Sequence, residues 1–231
     1  ADDVITVDDM KQMITQYSGT IYSLLPEDYD YFYINPAQSN MYHACKQEHN
    51  VEDIRLILAR LRAVKQDYEL DAIRAAVSVT TEAFGYVRER LEQYPHEAAI
   101  EGEFTRLFRT SYAHHAYQPI IASGSHACTL HYDHNDTVIE AGSFVLLDVG
   151  ARVSDYCADI TRTYAVGSLT ERQKNVHLAV QLAQREIIAL IHPGTTLAAY
   201  LQQADDIMRR TIIELGLVSN RDPDTAHHRY M

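Results

Sequence analysis

Between Phe144 and Tyr164 the chain places one carboxylate, Asp148, inside the apolar run Phe144-Val-Leu-Leu-Asp-Val, and a second, Asp159, on the next predicted strand. This feature constrains the fold most, because a charge in a buried strand is expensive without a partner. The segment has to fold so that something answers Asp148.

A hairpin turning at Val153 and Ser154 sets Arg152 against Asp155, Gly150 against Cys157 and Asp148 against Asp159. Residues opposed in this way carry their side chains on one face, with Cβ atoms about 4.5–5.5 Å apart. Two like charges at that distance destabilise a sheet unless a proton or cation lies between them. Carboxylate oxygens suit a divalent metal, or two bridged metals. Alternatives stay open at this point. Val-Ser is not a favoured two-residue turn, so a bulge or slip is allowed, and a slip by one residue would send the carboxylates to opposite faces. Either aspartate could instead cap a turn or pair with Arg152 or Arg162.

The elements around this segment follow from periodicity. Val7 to Tyr17 and Val51 to Leu61 read as helices, with strand-like runs at Thr20 to Leu25 and Tyr31 to Ile34 closed by Pro26 and Pro36. From Asp67 to Leu91 an apolar stripe runs through Ile73, Val77, Thr80, Phe84, Val87 and Leu91. Glu97 to Tyr112 is a second helix, with Ile100, Phe104, Leu107 and Phe108 inward. Strands are expected at Tyr117 to Ala122, Cys128 to Tyr132, Ser143 to Val149 and Tyr156 to Val166. After Gly167, Thr170 and Gln173 match a capping box, and Val176, Val180, Ala183, Ile187 and Ile191 predict a buried face. A last helix, Leu197 to Leu215, uses Leu201, Ala204, Met208 and Ile212, with Gly216 as its C-terminal cap. Arg221 to Met231 reads as polar and irregular. Helices, then strands, then helices make an α+β class.

Composition excludes some functions. The chain carries 32 acidic against 20 basic residues, a formal charge of −12, and shows no basic patch for nucleic acid. Its three cysteines have no CxxC spacing, which argues against a disulfide framework or a cysteine zinc site. That cysteine usage makes a reducing, cytoplasmic setting the expectation. No apolar run is long enough to span a membrane, and no signal-peptide pattern opens the sequence. Ala1 rather than Met opens the chain, so its start is expected to be trimmed or incomplete.

The motifs resemble a known family. Leu147-Asp-Val-Gly150, Tyr156-Cys-Ala-Asp-Ile-Thr-Arg-Thr163, Tyr117-Gln-Pro-Ile-Ile-Ala-Ser-Gly124 and Leu130-His-Tyr132 with Asn135 are similar, in order and spacing, to the signature of the aminopeptidase P/prolidase family. Lys65, Glu69 and Ala75-Ala76 match the usual start of its catalytic domain. The resemblance implies a pita-bread (creatinase/aminopeptidase-like) fold, truncated to its first half over residues 64–231. Residues 1–63 correspond to a partial small α/β N-terminal domain.

Residue by residue, the resemblance makes Asp148 and Asp159 bridging ligands of two divalent metal ions, with manganese expected first and cobalt or zinc as alternatives. It places His131 at the mouth of the site, where it binds substrate and stabilises the tetrahedral intermediate. Thr161 returns by strand alternation to the face of Asp159 and is expected to support the ligands. The implied chemistry is attack of metal-activated water on a peptide with proline second, cut after its first residue. Self-association is a family expectation, and neither nucleic acid nor membrane is an expected partner. The family also uses a further histidine and two glutamates downstream, beyond Met231, so the chain is expected to hold part of a site and to leave an apolar face open. An inactive pita-bread module that binds a peptide or partner, a prolidase acting on dipeptides, and a metal-free creatinase are the alternatives. Asp148, Asp159 and His131 argue against the first and the last.

Overall fold

The computed structural model describes residues 5–23, 43 and 45–218. The expected strand at Tyr31 to Ile34 and the tail from Arg221 lie outside the described residues. The chain divides into two compact units, Ala1–Leu70 and Asp71–Met231.

In the first unit, α1 (Val7–Gln16) starts at a reciprocal capping box between Thr6 and Asp9. The strands β1 (Ile21–Ser23) and β2 (Val51–Asp53) pair in parallel. Periodicity predicts a helix through Val51 to Leu61. The structure instead gives Val51–Asp53 to the sheet and begins α2 (Arg55–Ala63) afterwards, where Asp53 accepts from the Arg55 amide at 2.8 Å.

The second unit carries most of the described chain. Helix α3 (Asp67–Glu89) begins before the division at Leu70 and buries Ala76, Thr80, Ala83, Phe84 and Val87. Helix α4 (Glu97–Thr110) buries Ile100, Phe104 and Phe108. Both stripes follow the helical period read from sequence, with Val77 an exposed exception. Phe84, Phe104 and Phe108 form a ring ladder, with centroids 5.0 and 5.9 Å apart.

These helices cover a three-stranded antiparallel sheet of order β4 (Ile120–Ser123), β5 (Ser143–Val149), β8 (Ile160–Val166). On β5, Val145, Leu147 and Val149 are fully buried and alternate with half-buried Phe144, Leu146 and Asp148. The apolar run is therefore an amphipathic strand, and Asp148 lies on its other face. A second sheet joins β3 (His114–His115), β6 (Ala151–Val153) and β7 (Tyr156–Cys157). Helices α5 (Glu171–Ala189) and α6 (Leu197–Glu214) follow and pack on each other. The Thr170–Gln173 capping box is present, and Gly216 at φ 65° closes α6 with Gly216 and Leu217 amides on the Ile213 and Ile212 carbonyls.

The structure departs from the sequence expectations at several points. Cys128 to Tyr132 is not a strand: a 3-10 turn spans Gly124–Cys128 and an irregular segment follows. Cys128 and Cys157, which alternation in the expected strands would make small packed hydrophobes, are both exposed. On α5 the expected buried face holds for Ala183, while Val180 and Ile191 are exposed. On α6 Leu201 is exposed, and burial falls on Ile207, Thr211 and Ile212.

Candidate metal centre

The hairpin turns one residue later than the sequence suggested. Val153 pairs with Tyr156 and Arg152 with Cys157, so Ser154 and Asp155 form the turn. Both have positive φ, 48° and 65°, as a type I′ turn requires. The whole ladder is displaced by two residues, so Asp148 opposes Thr161 rather than Asp159. A displacement of two keeps the face, because side chains alternate with period two. Asp159 sits diagonally from Asp148, just before β8 begins.

The carboxylates converge. The Tyr117 hydroxyl lies 2.5 Å from Asp148 Oδ1 and 3.1 Å from Asp159 Oδ1. Burial, reinforced by the hydrogen bond to Asp148 and by both adjacent charges, pushes this hydroxyl far above the ordinary phenol range. At neutral pH it keeps its proton and donates. Asp148 is half-buried on the central strand between Ile120 of β4 and Thr161 of β8, and Asp159 is exposed.

Gly150 lets these pieces approach. A Cβ there would stand 1.8 Å from the Ala158 carbonyl oxygen and 3.1 Å from Tyr117 Cε1. Its own carbonyl accepts from the Ala116 amide at 2.8 Å. The glycine thus fixes both the hairpin that brings Asp159 back and the segment that carries Tyr117.

His131 reaches the same pocket from the segment after β4. Tyr117, His131, Asp133, Asp148 and Asp159 all line a cleft of about 390 Å³. His131 has φ 53°, and Asn135, four residues on, has φ 50°. A non-glycine residue in this region costs on the order of 1–3 kcal/mol and persists where its surroundings hold it. Asn135 is fully buried. Its Oδ1 accepts from the Ile121 amide at 2.9 Å, and its Nδ2 donates to the Pro119 carbonyl at 2.9 Å and to Glu101 at 3.0 Å. Thr161 sits opposite Asp148 in the ladder and outside the pocket lining.

Comparison with known proteins fits this arrangement. Residues 71–228 match the model of metallopeptidase family M24. The chain belongs to that family. Among relatives, Xaa-Pro aminopeptidase 1 of Streptomyces coelicolor is 34% identical over 171 residues, covering 72% of this chain and 35% of that protein. Human Xaa-Pro aminopeptidase 3 is 32% identical over 183 residues, covering 78% of this chain and 36% of that protein. The chain thus spans about a third of the length of the curated relatives it matches. Among solved structures, Yersinia pestis proline aminopeptidase P II superposes with TM-score 0.76 at 25% identity, over 96% of this chain and 52% of that one. Escherichia coli aminopeptidase P in its low-pH form gives 0.77 at 25% identity, over 94% and 50%. The architecture is the aminopeptidase P pita-bread fold, represented here by its front part.

Membership in M24 implies divalent metal ions. Asp148 and Asp159 suit them: both present carboxylate oxygens, both approach one hydroxyl, and both face a cleft. Among the described residues no group of three or more His, Cys, Asp or Glu side chains gathers as a metal site, so this pair is a partial set.

Tyr117 is the site residue that sequence reasoning passed over. It opens the Tyr117-Gln-Pro motif, but its partners lie 31 and 42 residues downstream, and only the folded sheet brings them together. Its one sequence signal is a tyrosine just before the strand that pairs with β5.

Proposed function

We propose that this chain is the front part of a metal-dependent Xaa-Pro aminopeptidase, which removes the first residue from peptides with proline second. The observation that carries the reading is the convergence of Asp148 and Asp159 on the Tyr117 hydroxyl, in a cleft that also presents His131. The names of the relatives support the substrate class.

In this reading Asp148 and Asp159 hold two divalent ions, with manganese the first expectation, and Thr161 supports them from the facing strand. The ions, when bound, supply Lewis acidity and a lowered pKa for water. Tyr117 fixes the orientation of Asp148 through its hydroxyl, which also lies beside Asp159. His131, at the rim, hydrogen-bonds the substrate carbonyl and the negative charge that develops on its oxygen. The setting proposed is the cytoplasm, with self-association of the intact protein. Among the described residues no helix is long and apolar enough to cross a membrane.

The test is turnover of an Xaa-Pro peptide by the intact protein with manganese, before and after Asp148→Asn. Side chains that merely support metal ligands are worth about 10–100-fold. Losing the ligand itself is expected to cost more than about 100-fold in turnover and metal affinity, with circular dichroism unchanged. Full turnover in the variant overturns the metal assignment. Cleavage of Xaa-Pro dipeptides alone would make the protein a dipeptidase on the same scaffold.

A further inference from the structure

We infer that Glu97 is a positioning residue for His131: one buried carboxylate gathers the start, the middle and the end of the segment that carries the histidine. The inference rests on the aminopeptidase reading for what His131 does, while its geometric part stands independently.

Glu97 opens α4 and is 0% exposed. Its Oε1 accepts from the Ser123 amide and the Ser123 hydroxyl, both at 2.7 Å. Its Oε2 accepts from the Tyr132 hydroxyl at 2.8 Å and the Thr137 amide at 3.1 Å. Ser123 ends β4, Thr137 follows the segment, and Tyr132 is the residue next to His131. The backbone closes the same ring, with the Glu97 amide donating to the Thr137 carbonyl at 2.9 Å and the Ile139 amide to the Pro95 carbonyl at 3.1 Å. His126, within the segment, brings its Nδ1 to 3.8 Å from Glu97 Oε1 and its ring to 4.6 Å from that of Tyr132.

Four donors answer the desolvation of the buried carboxylate, so the group is satisfied where it sits. What it gains beyond burial is reach: an apolar side chain would fill the same space but could not tie three separated points. The tie falls where it is needed. No strand ladder holds the backbone from Thr129 to His134. Among the described residues no hydrogen bond holds the His131 ring, so its place is set by the backbone on either side. On one side that backbone has φ 53° at His131 itself. On the other it is anchored through Tyr132, which is 8% exposed.

The experiment uses Glu97→Gln, which keeps the size and replaces one acceptor with a donor facing two donors. In the intact protein two readouts are taken: amide hydrogen exchange, and turnover of an Xaa-Pro peptide with and without His131→Ala. Exchange across residues 124–137 is expected to speed up at least about tenfold while β5 amides stay protected. Turnover is expected to fall at least about tenfold in kcat/KM, and the same substitution is expected to do nothing further in the His131→Ala background. Unchanged exchange across 124–137, or an equal fold-loss in the His131→Ala background, overturns the inference. Should Glu97→Gln fail to fold, Tyr132→Phe removes one donor and leaves the ring, and the same criteria apply to it. A wild-type protein without Xaa-Pro turnover would sink the aminopeptidase reading, while the exchange data would still decide whether Glu97 holds the segment.

Discussion

Two successive pairs of helices both carry apolar residues at helical spacing and differ in how far these are buried. Helices α3 and α4 carry apolar stripes that disappear into one cluster with Val145, Leu147 and Val149 of β5. Helices α5 and α6 carry apolar residues too, yet Val180 on the expected face of α5 is 51% exposed, and Leu178, Leu182 and Ile188 beside that face are 55, 49 and 58% exposed. Leu197 and Leu201 on α6 are more than half exposed. Periodicity states which side of a helix is apolar. It does not state whether the residues described here cover that side.

The sharpest way to break the comparison is one truncation in each pair. Phe104→Ala removes a fully buried ring between Phe84 and Phe108 and is expected to cost about 3–5 kcal/mol in chemical denaturation. Leu201→Ala on α6 is expected to stay within about 0.5 kcal/mol. Equal losses would mean that the two pairs are packed alike. Gly150→Ala comes next, because its Cβ must displace the Ala158 carbonyl, a piece of backbone. The expected cost is about 1–3 kcal/mol, read as a lower denaturation midpoint. A midpoint equal to wild type would show that the hairpin relaxes freely.

Gly216→Ala probes the second pair at its cap. With φ 65° at that position, the substitution is expected to lower stability by roughly 1–2 kcal/mol. No effect would mean that the end of α6 contributes nothing to the measured transition. The smallest effect concerns pH. Burial holds the His115 imidazole below its usual 6.5, with Glu101 opposing, and its ring lies edge-on to Phe108 at 5.0 Å. The unfolded chain therefore takes up this proton first, so its contribution to stability is present above pH 6.5 and declines as the pH falls below that value. His115→Gln is expected to flatten that part of the stability–pH curve, and an unchanged curve would remove His115 as its source.

The same contrast explains what the sequence could tell. The α3 and α4 stripes were legible because core packing follows the helical period. The face shared by Asp148 and Asp159 was legible because parity survives an even shift, although their direct pairing was not. The turn was misread because Ser154 and Asp155 take a conformation that Asn-Gly or Asp-Gly would have advertised. Cys128 to Tyr132 has the composition of a strand, but Glu97 and Asn135 hold the neighbouring backbone through side chains, and no local pattern announces a partner 26 to 40 residues away. Tyr117 was missed for the same reason.

The Tyr117 hydroxyl has few hydrogens to give. A phenol carries a single one, so of the two carboxylate oxygens it faces it can serve one at a time, and the 2.5 Å contact marks Asp148 as the one served. The oxygen of Asp159 is left beside a hydroxyl already committed elsewhere. Two carboxylates thus share one hydrogen, and a divalent ion held by both would offset the negative charge that the phenol leaves unanswered.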